Sequence, residues 1–121
     1  MASIIAITSL KIEGDIKEQV IDELGNAVTT WMGKDPSLRS IMWLPLPDEN
    51  FSIHERAILN LFVFIPPKTI DLKREMLQNI QKAVDRFFSR TEVNTIVIFK
   101  EHADENVGKD GVLRWDVTNK K

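Results

Sequence analysis

Between Ile58 and Pro66 the chain leaves almost no polar position, with Ile58, Leu59, Leu61, Phe62, Val63, Phe64 and Ile65 in near-continuous succession. Such a run predicts a strand buried on both faces. After the Pro66-Pro67 break the period changes to that of a helix, predicted from about Asp71 to Phe88, and a second strand is predicted from Val93 to Phe99. Strand, helix and strand make one βαβ unit. The first half of the chain carries the same pattern. Ile4-Ile5-Ala6-Ile7 reads as a strand that continues loosely through Leu10 and Ile12 and ends at Glu13-Gly14. Asp15 followed by Glu18 resembles a capping box that would start a helix. Ile16, Val20, Ile21, Leu24, Ala27, Val28, Trp31 and Met32 fall on one stripe of that helix, which Gly33 would end. Ser40 to Leu46 follows as a second strand, cut off by Pro45 and Pro47, and Asp48-Glu49-Asn50 is a polar loop.

Sliding the chain over itself by 56 positions aligns the two halves without a gap. Ile16 meets Leu72, Val20 meets Met76, Ile21 meets Leu77, Leu24 meets Ile80, Ala27-Val28 meet Ala83-Val84, and Trp31-Met32 meet Phe87-Phe88. The same shift sets Ile41-Met42-Trp43 on Val97-Ile98-Phe99 and Asp48-Glu49-Asn50 on Asp104-Glu105-Asn106. Two βαβ repeats are expected, about 2–56 and 58–112, followed by a short C-terminal strand from Val112 to Trp115 after the turn at Gly108–Gly111. Right-handed crossovers put both helices on one face of a shared sheet. The expected fold is therefore α+β, a duplicated βαβ with a four-stranded mixed sheet. Its other face is apolar and uncovered, which marks it as an association surface. Another copy of the protein is the expected cover, and the C-terminal strand could pair with a neighbour's sheet edge.

A chain of 121 residues suits a single domain. Its 16 basic and 18 acidic residues form no basic stripe interleaved with aromatics, which disfavours sequence-independent nucleic-acid binding. There is no cysteine, hence no disulfide and no thiol nucleophile. The apolar start lacks a basic leader and falls far short of the ~18 residues of a membrane span. A soluble, cytoplasmic protein is expected. His54 and His102 form no metal motif, and no glycine-rich phosphate loop follows a strand, so neither metal nor cofactor is expected.

The duplicated βαβ pattern with an Asp-Glu-Asn loop closing each half resembles the tautomerase superfamily over nearly the whole chain. Gly33-Lys34-Asp35-Pro36 and Asn106-Val107-Gly108 look like pieces of the macrophage migration inhibitory factor type. Val93 to Gly108, with Pro66-Pro67-Lys68, looks like the malonate semialdehyde decarboxylase type, and Leu38-Arg39 resembles the 4-oxalocrotonate tautomerase type. The resemblance implies a homotrimer, with a pocket between subunits built on an amino-terminal proline that acts as general base or acid. Here that position holds Ala2. Removal of Met1 would leave a primary α-amine able to accept a proton. Lys34 matches the pocket lysine of the migration inhibitory factor type, and equally suits a cation at a helix C-terminus. Arg39 has the geometry of a two-pronged carboxylate clamp, and also that of a solvated surface arginine. Lys68 stands where relatives carry arginine, while Pro66 replaces an arginine of the decarboxylase type, which argues against decarboxylase or dehalogenase chemistry. Two functions follow: keto–enol isomerisation of a small keto acid with Ala2 as base and Lys34, Arg39 and Lys68 as substrate-binding cations, or a non-catalytic trimer that binds a small carboxylate-bearing molecule or a protein partner.

Overall fold

The computed structural model describes residues 2–31, 39–52 and 55–119, and for 2, 30, 31, 39 and 40 the backbone alone. Strand β1 (Ala2–Thr8) leads to helix α1 (Gly14–Trp31) and strand β2 (Arg39–Pro45). Strand β3 (Ala57–Ile65), helix α2 (Ile70–Asp85) and strand β4 (Val93–Glu101) repeat that order. A two-residue hairpin pair, β5 (Gly108–Lys109) and β6 (Val112–Leu113), and a short helix α3 (Arg114–Thr118) complete the chain.

The four long strands form one mixed sheet in the order β2-β1-β3-β4, with β1 parallel to β2, β3 parallel to β4, and β1 antiparallel to β3. Strand alternation decides which face is covered. Ile4, Ala6 and Thr8 of β1 and Leu59, Leu61, Val63 and Ile65 of β3 are buried beneath Val20, Leu24 and Val28 of α1 and Met76, Ile80, Ala83 and Val84 of α2. The fold is thus α+β, a pair of βαβ units with both helices on one sheet face. On the opposite face Ile5, Ile7, Phe62 and Phe64 are half-buried, and Met42, Leu44, Ile96 and Ile98 are 42–48% exposed. The expectation that β3 is buried on both faces therefore holds on the helix side only. On the other side its neighbours in the sheet cover it in part, and no second layer of described residues lies over it.

Several local readings are corrected. Asp15 does not precede α1 as its cap: the helix runs from Gly14, whose φ of +61° is open to glycine at little cost, and Asp15 lies inside the first turn. Its charge still favours the helix N-terminus there. Ile16 is exposed, since Val20, one turn on, is the first stripe residue to reach the core. Leu77 is exposed because it sits about 100° round α2 from the buried Met76. The segment Val112 to Trp115 is strand only as far as Leu113. Trp115 belongs to α3, which Asp104 holds through Arg114 (3.1 Å) and the Thr118 hydroxyl (3.0 Å). The hairpin turn before it places Asp110 and Gly111 at positive φ, as a two-residue connection of this kind requires. Gly33 and Met32 lie outside the described residues.

The helices start at 14 and 70 and the 3-10 turns at 48 and 104, which keeps the 56-residue spacing. The first strands do not. Ala2 is aligned with Arg39, and Leu59 with Thr95, so Ala2 corresponds to Leu59, 57 positions on. The reason is the strand period of two. A shift of 56 would set buried Ile4 on Asn60 of the open face, whereas one more residue sets it on buried Leu61. The extra residue lies in the β1–α1 connection, which is one longer than Pro66–Thr69.

Candidate active site at one end of the sheet

Topology gathers the candidate residues. β1 and β2 run in parallel and begin together, with Ala2 in register with Arg39. β3 runs the other way, so its last residues reach this same end and deliver the Pro66–Thr69 turn that carries Lys68. β4 is parallel to β3 and ends there too, with Glu101 aligned to Ile65. Pro66 and Pro67 prevent β3 from continuing, and Thr69 starts α2 by accepting a hydrogen bond from the Leu72 amide.

Glu101 fixes this end. One carboxylate oxygen accepts the Lys68 backbone N–H at 2.7 Å and the other accepts the Lys73 ammonium at 2.7 Å. The His102 amide donates to the Ile65 carbonyl at 3.0 Å and closes the strand ends together. The Lys73 hydrogen bond, and after it the Lys68 amide, hold the Glu101 carboxyl below its ordinary range. The Lys68 backbone is therefore tethered while its own ammonium makes no hydrogen bond or ion pair with any described residue. Lys73, in contrast, is spent on Glu101.

Of the four expected site residues, the sheet brings Ala2, Arg39 and Lys68 to one end. Lys34 lies outside the described residues, as does His54. Glu101 was not foreseen, since its partners are 28 and 33 residues away in sequence and no local motif announces it. Beside the start of β1, the open face presents Ser3, Phe64 and Lys100 in one row across the sheet. Lys100 is exposed.

Clefts among the described residues lie elsewhere, the most voluminous of these, 680 Å³, between Leu10–Glu13 and Pro45–Pro47 at the opposite end of β1. One of 360 Å³ runs between α1 and α2, walled by Asn79, Lys82 and the Arg86–Glu23 ion pair. One of 570 Å³ lies under the C-terminal hairpin and α3, lined by Val107, Val112 and Val117. Among the described residues no three His, Asp or Glu converge as a metal ion would need, and no helix is long and apolar enough to cross a membrane.

No protein-family profile matches the chain, and no curated protein matches it in sequence. The fold, however, is shared with solved structures along nearly its whole length. A malonate semialdehyde decarboxylase inhibited by 3-bromopropiolate superposes with a TM-score of 0.78 at 12% identity, over 98% of this chain and 96% of that one. A fused 4-OT, solved as an asymmetric trimer, gives 0.75 at 15% identity over 97% and 99%. A macrophage migration inhibitory factor-like protein from Entamoeba histolytica gives 0.73 at 13% identity over 93% and 97%. The chain thus has the tautomerase fold.

Proposed function

We propose that this chain is a tautomerase-superfamily protein built of two βαβ repeats, about 2–56 and 58–112, that assembles as a homotrimer and interconverts the keto and enol forms of a small keto acid. The base is the Ala2 α-amine, exposed by removal of Met1. The observation that carries this reading is the register that sets Ala2 beside Arg39 at the sheet end where Glu101 anchors the Lys68 turn. A free α-amine titrates near ~7.7–8.0, so a useful fraction is neutral at physiological pH. An apolar wall or a nearby cation enlarges that fraction, because either disfavours the ammonium. The neutral amine removes a proton from the carbon next to the substrate carbonyl. Arg39 clamps the carboxylate, and Lys34 and Lys68 stabilise the enolate oxygen.

The trimer is supported by the half-exposed apolar face of the sheet and by trimers among the solved structures of this fold. A neighbouring subunit completes the pocket wall at the open side of the sheet end. Such a protein works in the cytoplasm. One observation favours a second reading, in which the trimer binds a small acid or a protein partner without catalysis: Ala2 stands where the superfamily carries proline. Ala2→Pro separates the two. In the first reading the wild type isomerises phenylenolpyruvate slowly, faster as pH rises through the amine's pKa, and Ala2→Pro raises the rate. Arg39→Ala in that background weakens substrate binding by roughly 1.5–3 kcal/mol, the worth of a charge-assisted hydrogen bond. A trimeric, folded Ala2→Pro protein with no activity establishes the second reading.

A further inference from the structure

The two repeats close their strand ends alike and differ in what stands there. Leu46 donates its amide to the Thr8 carbonyl at 2.8 Å, as His102 does to the Ile65 carbonyl at 3.0 Å, so Pro45 at the end of β2 corresponds to Glu101 at the end of β4. The helices correspond at a spacing of 56, buried Val20 to buried Met76, which matches Lys17 to Lys73. In the second repeat Glu101 binds both the Lys73 ammonium and the Lys68 amide, each at 2.7 Å. In the first repeat the lysine is kept and the carboxylate is gone. Lys17 is half-buried and makes no hydrogen bond or ion pair with any described residue. The connection that answers to the Lys68 turn is formed by residues 9–13, and no described residue accepts the Lys11 or Ile12 amide. Between that connection and the end of β2 lies the 680 Å³ cleft, lined by Lys17 and Pro45 and walled by Leu10, Ile12 and Leu46. At its rim the Lys11 ammonium is taken by Asp48 at 2.8 Å, and Glu13 is exposed.

We propose that this cleft is a second binding site, for a small organic acid with an apolar body, whose carboxylate takes beside Lys17 the place that Glu101 holds beside Lys73. The second repeat shows that the shared frame can seat a carboxylate, with one oxygen on the helix lysine and the other on an amide of the strand-to-helix connection. A half-buried ammonium has lost part of its hydration, and a carboxylate returns that loss through a charge-assisted hydrogen bond. The cleft has the size of small-molecule sites, roughly 300–1,000 Å³, and their make-up of apolar walls with a few polar groups that orient the ligand. A single negative charge is favoured on the ligand, because a second would meet Glu13 and Asp48 at the rim. No reaction follows at this end, since Leu59, the counterpart of Ala2, offers only an amide nitrogen. The inference is therefore independent of the activity proposed above.

Phenylacetate, with phenylacetamide as its uncharged counterpart, tests the proposal in a proton–nitrogen nuclear magnetic resonance titration of the full chain. Phenylacetate is expected to shift the Lys11, Ile12 and Lys17 amides saturably, and phenylacetamide to leave them in place. Lys17→Met keeps the apolar stem and is expected to weaken that response about tenfold or more, the worth of a charge-assisted hydrogen bond. Pro45→Glu is expected to abolish it, because the new carboxylate takes the ligand's place as Glu101 does in the second repeat. The Arg39 and Lys68 amides report the other end of the sheet. A response at Lys11, Ile12 and Lys17 with none at Arg39 and Lys68 counts against the function proposed above and leaves this inference standing. Lys11, Ile12 and Lys17 amides that phenylacetate does not move overturn the proposal. A response that Lys17→Met and Pro45→Glu leave unchanged also overturns it, and should one variant fail to fold, the other decides.

Discussion

In the proposed trimer, Phe62→Asp is expected to abolish assembly while leaving the chain folded. Phe62 lies at the centre of the open face, between Ile5 and Ile98, and its sequence neighbours Leu61 and Val63 point the other way into the core. Burying a large apolar side chain completely is worth ~1.5–3 kcal/mol, so finishing the burial of a half-exposed one is worth roughly 1 kcal/mol. Met42, Leu44, Ile96 and Ile98 together supply roughly 4 kcal/mol per subunit on that scale. An unpaired carboxylate carried into the same interface costs several kcal/mol per ion, which cancels the gain in every subunit at once. In the monomer the same aspartate faces water and costs little. Light scattering at micromolar concentration reads the stoichiometry, and far-ultraviolet circular dichroism reads the fold. A Phe62→Asp protein that remains trimeric refutes the burial argument, and one that is monomeric but unfolded refutes the claim that the helix-side core is sufficient.

Two further outcomes follow from single contacts. Because Glu101 is held below its ordinary 4.5 by Lys73 and the Lys68 amide, its contribution to stability is present above the unfolded carboxyl's pKa and is lost as pH falls through the lowered folded value; a nuclear magnetic resonance titration should show Glu101 inflecting below 4.5 in the wild type and moving upward in Lys73→Met. Leu61→Ala removes a side chain that is 1% exposed beneath both helices and should cost roughly 2–5 kcal/mol in urea unfolding, with an unchanged slope.

The architecture was legible because period is a backbone property. The change from the run at Ile58–Ile65 to the stripe of Met76, Ile80 and Val84 follows from how side chains leave a strand and a helix, and both halves show it. What escaped depended on partners distant in sequence. Thr69 caps α2 two residues before the acidic residue expected to open it, because Asp71 mirrors Asp15 and the hydroxyl does not announce its bond to the Leu72 amide. The helix at Arg114–Thr118 exists where a strand was expected, since Asp104 ties Arg114 and Thr118 on one helical face. Glu101 became part of the candidate site only when β3 and β4 ended side by side. Asn60 was visible as the one polar residue inside an apolar run, but its face waited on the one-residue displacement of the first strands.

That displacement also bears on how many sites each chain holds. Ala2 corresponds to Leu59, whose nitrogen is an amide within a continuous strand and has no basicity to offer. Arg39 corresponds to Thr95, which carries no charge. Lys34 corresponds to Arg90, whose guanidinium is already paired with Asp85 at 3.1 Å. The second half therefore retains the frame of the first without a counterpart of the Ala2 amine or of Arg39, and with the counterpart of Lys34 already paired. One catalytic site per chain is expected, not one per repeat. A small keto acid trapped on the protein by reductive amination near neutral pH should add once per chain, at the peptide that begins with Ala2, because an α-amine is neutral there to a far greater extent than a lysine of pKa ~10.4. Equal or faster modification at a lysine elsewhere would mean that the Ala2 amine is not set apart from the other amines of the chain, and the base assigned to the first repeat would then have to be given up.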